Sequence, residues 1–62
     1  MDPAGRYRLT LTVDGVTIAD GWWNLRQNAD RKFTSWVGDH GRDGARITLV
    51  DTETGRVIRS WP

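Results

Sequence analysis

Two alternating apolar runs flank the dipeptide Asp14-Gly15, and no other feature limits the fold as much. In the first run Tyr7, Leu9, Leu11 and Val13 are separated by Arg8, Thr10 and Thr12. A period of two with β-branched residues marks a strand with one buried face. Asp-Gly is a type I′ turn signal, because both central positions of that turn need positive φ. Val16-Thr17-Ile18-Ala19-Asp20-Gly21-Trp22-Trp23 then returns as the second strand. A two-residue turn predicts Val13 opposite Val16, Leu11 opposite Ile18 and Tyr7 opposite Trp22. Residues opposite one another share a face, so the apolar side chains align. The flaw in this register is Leu9, which falls opposite Asp20. A bulge at Asp20-Gly21 would remove it and would exchange which tryptophan points inward. Ordinary alternation leaves Trp23 outside.

Asn24 through Gly41 has helical periodicity. Leu25, Ala29, Phe33, Trp36, Val37 and His40 fall on one stripe at 100° per residue. Asn24 followed by Gln27 resembles a capping box, and Asn28 is a second candidate cap. Gly38 disfavours helix, so the element is predicted over about 25–38, with Gly38 or Gly41 as a left-handed stop.

Asp39 to Gly44 is a loop, and Ala45 to Val50 is a third strand. Thr52-Glu53-Thr54-Gly55 forms a turn before Arg56 to Trp61. Two registers fit this second hairpin. A four-residue loop pairs Leu49 with Ile58 and Val50 with Val57. A three-residue loop pairs Val50 with Ile58 and puts Trp61 on the face of Ile47 and Leu49. The fold class is therefore α+β, with order ββαββ: a small antiparallel sheet of two hairpins, carrying one amphipathic helix on one face. Residues 1–62 form one domain, with 1–5 a frayed end and the hairpins at 6–23 and 45–61.

A domain of 62 residues buries only about 60% of its unfolded surface and is short of core. The chain has no Cys, which excludes disulfides and thiolate metal sites, and its single His excludes a His-rich metal site within one chain. Dense aromatic packing and self-association are the staples left. Four tryptophans, Trp22, Trp23, Trp36 and Trp61, supply the first. Trp36 belongs to the helix stripe, while the roles of the others depend on strand register.

Nine basic residues oppose eight acidic ones for a net charge of +1, without the excess of a dedicated nucleic-acid binder. Eight of the nine are Arg, which fits GC-rich coding and a high-GC bacterial or phage origin. No signal peptide and no apolar run long enough for a bilayer is found, and the lack of Cys fits a cytoplasmic protein.

Catalytic signals are thin. His40 with Asp39 and Asp43 could be written as an acid/base site, yet a His at the negative end of a helix needs no such role. Gly38-Asp39-His40-Gly41 and Gly41-Arg42-Asp43-Gly44 match G-x-x-G, but each joins helix to strand and brings Asp toward where phosphate would lie. No catalytic, metal or cofactor site is expected, and no cofactor.

The expected function is a non-enzymatic binding or regulatory protein whose partner is a protein or a second copy of itself, as a homodimer. Trp23, Trp61, Arg8 and Arg59 are the candidate contact residues. The alternative is a nucleic-acid-binding module, with Arg8, Arg46, Arg59 and Trp23 as contacts. In topology the chain resembles the arm-type DNA-binding domains of phage integrases and the double-stranded RNA-binding domain. That resemblance implies a sheet surface that touches nucleic acid.

Overall fold

The computed structural model describes residues 5–62. Of the expected frayed end, residues 1–4 lie outside that range, and Gly5 is buried against the backbone of Trp23. Four antiparallel strands form one open sheet: β1 (Tyr7–Val13), β2 (Val16–Trp23), β3 (Ala45–Asp51) and β4 (Arg56–Trp61). Helix α1 (Arg26–His40) crosses between the hairpins and packs on one face, so the α+β, ββαββ expectation holds. The strand order is β2-β1-β3-β4. The two hairpins therefore join through their first strands, and β2 and β4 are the edges. Among the described residues, no helix is long and apolar enough to cross a membrane.

The central pair sets the two faces. Leu9 pairs with Leu49 and Leu11 with Ile47, and all four side chains are fully buried beneath the helix. Ala29 and Phe33 come down on them from α1. The alternate residues Arg8, Thr10, Thr12, Arg46, Thr48 and Val50 form the opposite face, which no element among the described residues covers.

Each edge strand carries one extra residue, and in both cases it is isoleucine. In the first hairpin Val13 pairs with Val16 and Thr12 with Thr17, as the Asp14-Gly15 turn requires. Asp14 and Gly15 both have positive φ, 52° and 84°. The register then shifts, so that Leu11 faces Ala19, Leu9 faces Gly21 and Tyr7 faces Trp23. The bulge falls at Ile18, before the expected Asp20-Gly21, and has the effect foreseen for one. Trp23 turns inward and Trp22 outward, which corrects the expectation that Trp23 stays outside. Gly21 accounts for the arrangement: the Trp23 indole folds across it, and a Cβ there would lie 2.6 Å from the ring.

In the second hairpin both expected registers occur, one on each side of a bulge at Ile58. Val50 pairs with Val57 near the turn, as a four-residue loop demands. Beyond the bulge Leu49 faces Arg59 and Ile47 faces Trp61. The extra residue thereby carries Arg59 and Trp61 to the helix side.

The helix departs from expectation at both ends. Leu25 is its N-cap, no side chain caps it, and the Asn24/Gln27 box does not form. Leu25, expected in the core stripe, is more than half exposed. At the other end α1 runs through Gly38 to His40, past the predicted stop. Gly41 follows with φ −68°, which is not left-handed, and its N–H donates to the Val37 carbonyl at 2.9 Å. Glycine suits this position because a Cβ would strike that same carbonyl and crowd the Trp61 ring.

Candidate protein-binding face

The uncovered sheet face consists of transverse rows. The first is Trp22–Arg8–Val50–Val57, one residue from each strand in the order β2-β1-β3-β4. The second is Asp20–Thr10–Thr48–Ser60. The third is Thr17–Thr12–Arg46, completed on no fourth strand. One row is thus apolar except for its arginine, and the others are polar.

Arg8 is fixed where it stands. Its guanidinium carbon lies 5.3 Å from the Trp22 ring centroid. Its Nη2 donates to Asp20 Oδ2 at 2.9 Å. Its Nε is buried and has no acceptor among the described residues, so stacking and the Asp20 bond hold the group in place. The ion pair is largely solvent-facing and contributes little stability. Its effect is to neutralise the cation and to steady the indole. Trp22 keeps 39% of its surface accessible, and Val57 keeps 55%. A half-exposed Trp held by an Arg beside two valines has the aromatic and Arg composition of protein interfaces.

The sequence-derived candidates divide between the faces. Arg8 and Arg46 lie on the open face, while Trp23, Trp61 and Arg59 lie with the helix. Trp23 meets Trp36 edge-on at 6.4 Å and packs against the core. Trp61 is half-buried against the same core. Arg59 stacks on Phe33, 4.4 Å from the ring centroid, and pairs with Asp30 at 3.8 Å. None of these three is placed with Arg8. Sequence reasoning misses Trp22, Val50 and Val57 as candidates. The Leu9–Asp20 mismatch is the available signal for Trp22, since a bulge that relieves it, at either position, exchanges the two tryptophans.

Among the described residues, no acid/base constellation stands beside this face. His40 is exposed at the helix end and meets Trp36 edge-on at 6.4 Å. A groove of about 310 Å³ lies beside the start of β4, lined by Arg26, Asp51, Arg56, Val57 and Ile58. Its only carboxylate, Asp51, is held by Arg6 in a two-point ion pair and is kept below the usual carboxylate range by those hydrogen bonds. Among the described residues, no group of three His, Cys, Asp or Glu is placed to hold a metal ion.

No protein-family model matches the chain, and no solved structure matches it significantly.

Proposed function

We propose that this chain is a non-enzymatic binding module that seats a protein partner on the open face of its sheet. The observation that carries this reading is the Trp22–Arg8–Val50–Val57 row, an apolar strip across all four strands with a fixed cation in it. Flanking Thr10, Thr48 and Ser60 supply the polar rim that such a strip requires. The absence of Cys supports action in a reducing compartment such as the cytoplasm.

The charges of this face favour protein over nucleic acid. Phosphate recognition needs several available cations. Arg8 is engaged by Asp20, and Arg59 is turned to the helix side. Among the described residues, Arg46 is the one cation left on this face outside the Arg8–Asp20 pair.

The test is affinity capture from the native host with the wild-type chain and with Val57→Lys and Arg8→Ala. A stoichiometric protein partner, lost from both variants, is the expected result. Capture indifferent to both substitutions overturns the reading. So does a DNA or RNA mobility shift at about 50 mM salt that both substitutions abolish.

A further inference from the structure

We infer that the edge of β2 is a self-pairing interface: two copies of this chain join their β2 strands antiparallel, about a two-fold axis at Gly21. The inference concerns the sheet edge and stands independently of the partner assigned to the open face.

The two edges of the sheet are unequally protected. Natural edges are blunted by charge, proline and bulges. β4 carries Arg56 and Arg59 and is followed by Pro62. β2 contains no Lys, Arg or Pro, and its one charge, Asp20, is tied to Arg8. Both have a bulge, so the bulges do not distinguish them. Exposed apolar side chains do: Val16, Ile18 and Trp22 all lie on β2, with Leu25 just beyond it, against Val57 alone on β4.

The occupant follows from self-complementarity. Past the bulge, β2 runs without further register shift from Ala19 to Trp23, and the midpoint of that stretch is Gly21. A two-fold axis there sets Gly21 against Gly21 of the second copy, each covered on the helix side by its own Trp23 indole, so the two indoles come together beside the axis. Asp20 then faces Trp22 of the second copy instead of another Asp20, so no like charges oppose. The two Trp22 side chains become diagonal neighbours, about 7–8 Å apart at Cα and within indole reach. Farther out, the end of the other chain's β2, with exposed Leu25 two residues beyond Trp23, lies toward exposed Thr17 and Ile18. The bulge has opened a depression of about 220 Å³ there, lined by Thr17, Ile18, Ala19 and Asp20. Each copy thus offers both the apolar residue and the hollow, as a two-fold interface requires. Opposed residues share a face, so both helices lie on one side and the two open faces form one continuous surface.

An edge contact of this length belongs with small interfaces, below roughly 1,200 Å², so a concentration-dependent equilibrium is expected. The test is sedimentation velocity on the full chain from low micromolar to near-millimolar concentration. The wild type should pass from monomer to dimer. Trp22→Glu sets a carboxylate against Asp20 of the second copy and should weaken association about tenfold or more. Adding Asp20→Lys to it makes that opposition attractive and should restore association. Arg56→Thr, on the other edge and outside the open-face row, should leave it unchanged. Backbone amide exchange on the wild type supplies a readout that needs no variant. Exchange at Ala19–Trp23 should slow as concentration rises, and exchange in β4 should not. A wild type that stays monomeric throughout overturns the inference. So does a dimer insensitive to Trp22→Glu, or one changed by Arg56→Thr, or one whose protected amides lie in β4.

Discussion

Arg6 and Asp51 are joined by two parallel hydrogen bonds of 2.8 Å, from Nε to Oδ1 and from Nη2 to Oδ2. The pair links the entry of β1 to the end of β3, residues far apart in the chain. It is reinforced on both sides. Thr52 donates its amide and its hydroxyl to the Arg6 carbonyl, at 2.9 and 2.6 Å. The Glu53 amide donates to Asp51 Oδ1 at 3.0 Å. A planar guanidinium matches a carboxylate in this geometry, which Lys could not reproduce.

The first prediction concerns acid. The Arg6 hydrogen bonds hold the Asp51 carboxyl below its ordinary value of 3.8. A carboxylate depressed in the folded state stabilises the protein above its unfolded pKa. That contribution is lost as pH falls from about 4 through the depressed value. Asp51→Asn should therefore lower Tm at neutral pH, and the gap between wild type and variant should narrow below about pH 4. Thermal melts of both proteins across that range check this. A gap unchanged by acid would show that Asp51 does not act through its charge.

Two glycines should respond oppositely to alanine. Gly38 lies inside α1 with nothing within 4 Å of where a Cβ would stand. Gly38→Ala should stabilise by about 0.5–1 kcal/mol, through helix propensity and a less flexible unfolded chain. Gly44 has φ +87°, and its carbonyl accepts the Asp14 amide at 2.9 Å. A Cβ there would also strike the Asp14 carboxylate, though that side chain can swing aside. Left-handed backbone costs alanine about 1–2 kcal/mol, so Gly44→Ala should destabilise by that amount. Urea denaturation of both variants gives sign and size.

These contrasts mark what the sequence makes legible. Asp14-Gly15 and the alternation from Tyr7 to Val13 act locally, and the turn and its first pairs follow from them. The helix stripe is equally local at Ala29, Phe33, Trp36 and Val37. The bulges are not local. Ile18 is left exposed while Ile58 still packs on the core, and the extra residue in each case lets Trp23 and Trp61 gain burial on the helix side, a gain that the turns alone do not encode. At the end of α1, beyond Gly38, a long-range contact also enters, since Gly41 lies beside Trp61. The membership of the open face depends on these bulges. One extra residue per edge strand exchanges Trp23 for Trp22 and removes Arg59 and Trp61 from it, while Arg8 and Arg46, on central strands without bulges, keep their places.

The tryptophans should separate spectroscopically. Trp22 is exposed on the open face, whereas Trp23, Trp36 and Trp61 are partly buried around the core. In dilute solution, acrylamide should quench one class of emitters readily and a larger class poorly. Trp22→Phe should remove the readily quenched class and leave the melting curve nearly intact. Trp23→Phe should instead lower stability, since it thins the edge-on contact with Trp36 and the cover over Gly21. Loss of the readily quenched class in Trp23→Phe, but not in Trp22→Phe, would reverse the assignment of the two faces.

Arg59 offers the last test, because its place follows wholly from the Ile58 bulge. Its guanidinium lies 4.4 Å from the Phe33 centroid and 3.8 Å from Asp30. Stacking of a partly exposed cation on an aromatic ring is worth about 0.5–1 kcal/mol. Arg59→Ala should cost about that much, plus the packing of its aliphatic stem over the helix. Arg59→Lys keeps the charge near Asp30 but loses the flat face, and should recover only part of the loss. A double-mutant cycle with Phe33→Leu isolates the stacking. A coupling energy near zero, with Arg59→Lys equal to wild type, would mean that Arg59 acts only as a charge. A coupling of about half a kcal/mol or more fixes Arg59 on the helix side and with it the register of the closing strand beyond the Ile58 bulge.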